Sequence, residues 1–96
     1  MKFMVSWRVH PKKRHEVFKA FSQMTAKDDE ADTGKAIKLI GRWHDLAKFT
    51  GVAIAESDDP KAVARWALNW NSALDLEVTP VLDDKEARGI GKKMFS

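Results

Sequence analysis

The chain contains no cysteine, so disulfide bonds, thiolate metal sites and cysteine nucleophiles are all excluded. Nothing in the composition points to an oxidising compartment. Long apolar runs are also absent, because residues 1–8 interrupt their apolar side chains with polar ones, unlike a signal-peptide core or a membrane span. These absences predict a cytoplasmic protein with no membrane partner.

Catalytic and cofactor motifs are equally scarce. The chain lacks a Ser-His-Asp order, a glycine-rich phosphate loop and a nucleotide fingerprint, since Gly89-Ile90-Gly91 has no strand before it. His10, His15 and His44 show no His-x-x-x-His spacing, and no carboxylates group with them. We therefore expect neither a metal nor a cofactor.

A net charge of +3 is too diffuse to predict a nucleic-acid partner. The basic residues fall in short groups at residues 12–14 and 92–93, and an acidic stretch at residues 27–32 separates them. No continuous basic stripe with interleaved aromatic residues is present, and no strand carries the aromatic sequence of an RNA-recognition motif. The sequence predicts no nucleic-acid binding.

What is present suits one folded domain. The 96 residues are 44% hydrophobic and 32% charged, which is ordinary for a soluble globular protein and too apolar for a disordered one. We predict a single domain over residues 1–82 and a C-terminal tail over residues 83–96 that is at most a short helix with a loose end.

The first half of the chain changes from strand to helix periodicity. Alternating apolar residues predict a half-buried first strand that ends at Pro11. From Lys12 the apolar residues take helical spacing, so a helix should run to about Ala26, before a polar loop over residues 27–35. The strand's apolar side is Phe3, Val5, Trp7 and Val9, and the helix's apolar face is Val17, Phe18, Phe21 and Met24.

The second half contains a hairpin, a helix and a last strand. Residues 37–44 alternate, residues 49–56 are rich in small and β-branched side chains, and the short connection between them predicts an antiparallel hairpin. Asp59 and Pro60 are a strong helix start, and this helix should end near Asn71 or Ser72. Its inner face is Val63, Trp66, Ala67 and Trp70. A fourth strand over residues 74–82 contains Pro80, which favours an edge position or a bulged strand end.

The order β-α-β-β-α-β predicts an α+β fold. Right-handed crossovers permit few topologies for this order, and the commonest is the ferredoxin-like antiparallel sheet with strand order 4-1-3-2 and two helices on one face.

One face of such a sheet stays uncovered, which predicts a homodimer. The wholly apolar sets, Phe3/Val5/Trp7/Val9 and Ile37/Leu39/Trp43, should face the helices, leaving Met4, Ser6, Arg8, Ile40, Arg42, His44, Glu77, Thr79 and Val81 on the open face. Four strands present roughly 400 Å² there, and a mixed apolar patch of that size is seldom left in water. A second copy is the simplest cover, because a two-fold contact needs only one self-complementary surface.

Several blocks of sequence also resemble a known family. The blocks are Phe3-Met4-Val5-Ser6-Trp7, Gly41-Arg42-Trp43-His44, Glu56-Ser57-Asp58-Asp59-Pro60, Trp70 and Glu77-Val78-Thr79-Pro80-Val81. In this order and over nearly the whole chain, they resemble the small bacterial family known as domain of unknown function 3303. That family is similar in fold to the dimeric α+β barrels, which include cofactor-independent monooxygenases and isomerases. The resemblance implies a homodimer with a pocket, and it implies no particular reaction.

The open face supplies the candidate site residues. His44 is the candidate catalytic base, with a hydrogen bond to a loop carbonyl as the structural alternative. Arg8 and Arg42 could bind a carboxylate or an enolate, or could instead pair with Glu77 across the dimer. Trp43 offers an aromatic wall for a flat ligand, although core packing explains a tryptophan equally well.

Three functions remain open from the sequence. The first is a dimeric protein that binds a small organic molecule in the barrel or at its mouth. The second is a cofactor-independent enzyme in which His44 removes a proton from an activated carbon and the arginines stabilise the enolate. The third is a structural or regulatory dimer with a filled interior.

Overall fold

Four strands and four α-helices make up an α+β fold, and the computed structural model describes all 96 residues. The elements are β1 (Lys2–Val9), a 3-10 turn (Pro11–Lys13), α1 (Arg14–Ser22), α2 (Ala26–Thr33), β2 (Lys38–Asp45), β3 (Thr50–Glu56), α3 (Pro60–Trp70), β4 (Leu74–Val81) and α4 (Asp84–Met94).

The sheet has the strand order β2-β3-β1-β4, and every neighbouring pair is antiparallel. The predicted ferredoxin-like topology is confirmed, with α2 and α4 as additional helices. Pro80 lies in β4, which is an edge strand, so the missing amide hydrogen leaves no gap between two strands.

The hairpin between β2 and β3 turns through the side chain of Asp45. Its Oδ1 accepts hydrogen bonds from the backbone amides of Ala47 and Lys48 at 3.1 and 3.2 Å, the local pattern typical of aspartate in turns. Phe49 closes the turn at φ 54°, the one non-glycine residue with positive φ, and its carbonyl accepts a hydrogen bond from Val9 at 2.9 Å. The long-range hydrogen bond holds this unfavourable backbone conformation in place.

Two helices differ from the sequence prediction. Residues 26–33, predicted as part of a loop, form α2, and the first helix ends at Ser22 instead of near Ala26. Thr25 and Asp28 build a reciprocal capping box that starts α2. The prediction of a loop was wrong because α2 has no apolar stripe, so apolar periodicity gives no sign of this helix.

The C-terminal tail also forms a longer helix than the sequence suggested. Asp83 and Glu86 make a second capping box, and α4 continues for 11 residues to Met94. Lysines in its last turn favour the negative end of the helix dipole. None of its residues is buried, so capping and charge interactions, and not apolar packing, hold this helix.

The core lies between the sheet and α3. Asp59 caps α3 and Pro60 opens it, as predicted, and this placement turns Ala62, Val63 and Trp66 onto the sheet. The buried apolar residues are Phe3, Val5, Val9, Ile37, Ala53, Ala55, Ala62, Val63, Trp66 and Leu74. Only 11 of 96 residues are buried, and α1 contributes none of them, so one copy of the chain has a thin core.

A β-bulge in β2 reverses the predicted faces of this strand. Leu39 pairs with Ala55, but the next partner, Ile54, pairs with Gly41, so Ile40 is an extra residue. Beyond the bulge Arg42 pairs with the core residue Ala53. Side chains that regular alternation would place on the open face therefore face the helices, and the reverse. The prediction that Arg42 and His44 lie on the open face and Trp43 against the helices is therefore wrong: Arg42 and His44 face the helices, and Trp43 is 59% exposed on the open face.

Candidate functional site

A cleft opens between α1, α3 and the helix-facing side of the sheet. Its volume is about 90 Å³, and 13 of its 18 lining residues are hydrophobic. The cleft exists because α1 stands away from the sheet, while α3 packs closely against it. The residues that give it chemical character are Trp7, Phe21, Arg42, His44, Trp66 and Trp70.

Arg42 reaches this cleft from β2. Its Nη2 donates hydrogen bonds to both carboxylate oxygens of Asp29, at 3.2 and 3.3 Å, and its guanidinium lies 4.7 Å from the ring centroid of Phe21. Only 18% of the side chain is exposed. A partly desolvated guanidinium interacts more strongly with a carboxylate or an aromatic face than an exposed one does. Arg42 thus places a positive charge on an apolar wall.

His44 lies two residues after Arg42 on the same face of β2, between two aromatic rings. Its ring centroid is 5.5 Å from that of Trp7, in an edge-to-face arrangement, and 4.7 Å from that of Phe21. Trp7 and His44 belong to strands separated by β3, and they meet because both pair with Gly51, which has no side chain to keep them apart.

The environment of His44 favours the neutral imidazole. Desolvation by the surrounding rings, and then the positive charge of Arg42, lower the pKa of His44 below 6.5. Part of the ring still reaches solvent, so the desolvation is incomplete and the charge of Arg42 adds to it. At neutral pH His44 is a hydrogen-bond acceptor and a base.

Asp32 closes the cleft from α2, and sequence reasoning missed it. Its carboxylate accepts hydrogen bonds from the indole Nε1 of Trp66 at 3.0 Å and of Trp70 at 2.9 and 2.8 Å. Asn69 adds a third donor, at 3.2 Å from Oδ1. Trp66 lies in the core and Trp70 packs against it, as predicted, and their N–H groups require an acceptor that the sequence pattern does not reveal.

Phe49 supplies the wall of the cleft at the hairpin. The guanidinium of Arg14 lies 5.5 Å from its ring centroid, and the ring of His15 lies at 5.7 Å. The strained backbone of Phe49 therefore holds a ring at the point where α1 begins.

The other predicted site residues lie elsewhere. Arg8 and Glu77 are exposed on the open face of the sheet, together with Trp43, because β1 and β4 have no bulge and keep their predicted alternation. The structure thus brings Arg42 and His44 together and separates them from Arg8, Trp43 and Glu77. The ion pair weighed between Arg42 and Glu77 is replaced by the pair of Arg42 with Asp29.

No group of three or more histidine, aspartate or glutamate side chains is arranged to hold a metal ion. None of the helices has the length and hydrophobicity that a membrane span requires.

Comparison with known proteins identifies the family. No curated protein matches this chain. The profile of the family described as a domain of unknown function (DUF3303) matches residues 1–95, which include β1, the Gly41-Arg42-Trp43-His44 segment, the capped start of α3 and β4. Because this match spans nearly the whole chain, the chain belongs to the DUF3303 family.

Proposed function

We propose that the chain binds a small organic molecule with a flat apolar body and an anionic group, and that the ligand occupies the helix-side cleft. The observation that carries the proposal is the position of Arg42, a partly buried guanidinium on the wall of a mostly hydrophobic cleft, whose hydrogen bonds to Asp29 come from Nη2 alone. Trp7, Phe21 and Trp70 supply the aromatic surfaces for the flat body.

The size of the cleft limits the ligand to about one ring. A closed apolar cavity that holds benzene has a volume of about 150 Å³, and the cleft measures about 90 Å³. The cleft is open at its mouth, so part of the ligand would remain in solvent. The cleft would therefore enclose only part of a ring against Trp7 and Phe21, with the anionic group next to Arg42.

Phenylpyruvate is a suitable probe, because it combines an aromatic ring with a carboxylate. In a ¹H–¹⁵N spectrum, each tryptophan gives one indole N–H signal, so Trp7, Trp66 and Trp70 report on the cleft and Trp43 reports on the open face. We expect phenylpyruvate to shift the signals of Trp7 and Trp70 and to leave that of Trp43 in place. Shifts confined to Trp43, or no shift at all, would contradict the proposed site.

Two arginines provide a matched pair of variants. Arg42→Met should weaken binding of phenylpyruvate by about tenfold, since it removes one charge-assisted interaction. Arg8→Met removes the same charge from the open face and should leave the dissociation constant unchanged. Equal effects of the two substitutions would show that general charge, and not the cleft, attracts the probe.

An enzyme of the cofactor-independent type is the second candidate, and the neutral state of His44 favours it. A histidine with a lowered pKa is a base at neutral pH, and the adjacent Arg42 could stabilise an enolate formed by proton removal. The test is exchange of the C3 protons of phenylpyruvate in D₂O, followed by ¹H NMR. Acceleration over the rate without protein, lost in His44→Gln while binding persists, would support this candidate; an unchanged rate would contradict it.

A second copy of the chain is the proposed partner. The open face carries Met4, Val52 and Ile54 at its centre and Trp43 beside them, and the core of one copy is thin. Burying this face against its twin would enlarge the apolar interior. Sedimentation velocity should give a dimer at micromolar concentration. A monomer would contradict the two-copy assembly. It would also contradict a structural or regulatory dimer with a filled interior, because that function needs two copies as well.

A further inference from the structure

α4 presents an apolar stripe that nothing in its own chain covers. Ala87, Ile90 and Met94 recur at helical spacing and share one side of the helix, while Lys85 and Lys92 lie on the opposite side. Ile90 is 57% exposed and Met94 is 73% exposed. An ordered amphipathic helix with a bare apolar side indicates a missing contact.

Lys2 determines the side of the sheet on which α4 begins. Lys2 precedes the core residue Phe3 in β1, so its side chain lies on the opposite face of the sheet, the open face, together with that of Met4. Its Nζ is 3.3 Å from Asp83 Oδ2 and 3.4 Å from Glu86 Oε1. The first turn of α4 is therefore tied to the open side of the sheet, away from the cleft.

The shifted pKa values of this cluster agree with its geometry. The hydrogen bond to Asp83 raises the pKa of Lys2 above 10.5. The backbone amide of Glu86, and then Lys2, lower the pKa of Asp83 below 3.8. Lys2 and Asp83 both stay charged over the neutral range, so α4 keeps this anchor.

The chain is more extended than a compact domain of its length. The radius of gyration is 15.3 Å, whereas a compact domain of this length has a radius of gyration of about 12.5 Å. The longest dimension is 53 Å. This elongation agrees with the absence of buried residues in α4.

We infer that α4 of each copy packs against the other copy at the margin of the open sheet face, with Ile90 and Met94 against the partner's apolar side chains. This inference rests on the proposed two-copy assembly and adds the element that completes it. The sheet face alone offers roughly 400 Å² in projection, and a stable interface needs about 800 Å² from each partner. α4 adds a side about 16 Å long and about 10 Å wide, which moves the contact towards that value.

The open face carries exposed charges of both signs, Arg8 and Glu77 among them, and Lys92 lies on the side of α4 away from the apolar stripe. The apolar side of α4 and the area of the contact, and not charge, therefore indicate the partner. A membrane is a weaker candidate for the occupant, because Asp84 and Glu86 lie in the first turn and the apolar side is short.

A matched pair of substitutions on neighbouring residues tests the contact. Ile90→Lys places a charge on the apolar side, and Gly89→Lys places the same charge on the polar side, where a side chain meets no neighbouring atom. We expect Ile90→Lys to weaken the dimer by about tenfold or more and Gly89→Lys to change its dissociation constant by less than about twofold, in sedimentation measurements. Equal effects would overturn the inference.

Cross-linking distinguishes contact of α4 with the partner's sheet from contact of α4 with the sheet of its own chain. Because the chain has no cysteine, the variant Ser6→Cys/Ile90→Cys contains only the two introduced thiols. Oxidation should give a covalent dimer in which the tryptic peptide of residues 3–8 is linked to that of residues 89–92. The same link within a monomer, or no such link, would overturn the inference.

Two controls separate this inference from the proposals on which it rests. If the wild-type dimer forms and Ile90→Lys leaves it intact, the exchange of α4 is wrong and the dimer stands. If Ile90→Lys dissociates the dimer but phenylpyruvate still shifts Trp7 and Trp70, the cleft functions without the exchange. A monomer that sediments with phosphatidylserine vesicles through α4 would show that a lipid surface, and not a second copy, covers the helix.

Discussion

The indole N–H of Trp70 points at both carboxylate oxygens of Asp32, at 2.9 and 2.8 Å. Trp66, one turn earlier on α3, donates to the same carboxylate. Because α2 has no apolar stripe and no buried residue, this carboxylate is the principal contact that fixes α2 on α3. A polar interaction thus does here what apolar packing does for α3.

Replacement of Asp32 should therefore loosen α2. Asp32→Asn keeps the shape but removes the charge and one acceptor oxygen, so the two indoles lose a charge-assisted partner. We expect the free energy of unfolding to fall by about 2 kcal/mol, measured by urea denaturation with tryptophan fluorescence. Glu30→Gln, an exposed position on the same helix, should change it by less than about 0.5 kcal/mol. Equal losses would contradict the role of Asp32.

Two strand glycines should respond differently to alanine. A methyl group at Gly51 would overlap the ring of Trp7 and lie 2.7 Å from the backbone oxygen of Trp43. At Gly41 the methyl group would meet only the ring of Trp43, which is exposed and free to move. We expect Gly51→Ala to cost about 2 kcal/mol or more and Gly41→Ala less than about 1 kcal/mol in the free energy of unfolding.

The same substitution at Gly51 should also change the site. The indole of Trp7 and the imidazole of His44 meet over this glycine, so a methyl group there should push the rings apart. In the Gly51→Ala variant the NMR signals of both rings should move, and binding of phenylpyruvate should weaken. A variant that is destabilised but binds normally would show that the cleft does not depend on this contact.

His44 should make stability depend on pH in a defined window. Its folded-state pKa lies below 6.5, so as the pH falls through about 6.5 the unfolded chain takes up a proton before the folded chain does. The free energy of unfolding should therefore fall with pH below this point, until the folded pKa is passed. His44→Gln should remove this part of the slope between pH 7.5 and pH 5.

Arg42 provides the control for that measurement. Its charge is the second cause of the lowered pKa, after desolvation. In Arg42→Met, an NMR titration of His44 should therefore give a pKa closer to 6.5 than in the wild type. A pKa that does not move would assign the shift to desolvation alone.

The anchor of α4 should weaken at both extremes of pH. The pKa of Asp83 is lowered, so its contribution is present above 3.8 and is lost as the pH falls; the pKa of Lys2 is raised, so its contribution is lost as the pH rises beyond 10.5. Lys2→Met should remove the anchor at every pH. Amide hydrogen exchange over residues 84–94 should accelerate in this variant, whereas Lys85→Met, which alters an exposed lysine with no ion pair, should leave it unchanged.

The four strands, the antiparallel hairpin and α3 were predictable because each has a strong local signal. Period-2 alternation identifies β1, and Asp59 followed by Pro60 identifies the start of α3. α2 was missed because its contacts to α3 are polar and come from residues distant in sequence, notably Asp32 and Trp70. No periodicity in residues 26–33 could show this.

The candidate site was only half predictable for a different reason. Arg42 and His44 were identified as chemically important, but their surroundings depend on how β2 pairs with β3. Alternation along β2 looks regular in the sequence, and nothing in it shows that Ile40 is skipped in the pairing. The partners of Arg42 and His44, namely Asp29, Phe21 and Trp7, follow from that unpaired residue.

The unpaired Ile40 makes the character of both surfaces depend on how one residue of β2 pairs. If Ile40 paired with Ile54, strict alternation would turn the guanidinium and the imidazole outward and bury Trp43 beneath the helices. Interior and exterior chemistry would then be exchanged with no change in the residues that carry it. A regular β2 of the same length would therefore lose the site, whereas loss of Ile40 itself would keep Arg42 opposite Ala53 and leave the faces as they are.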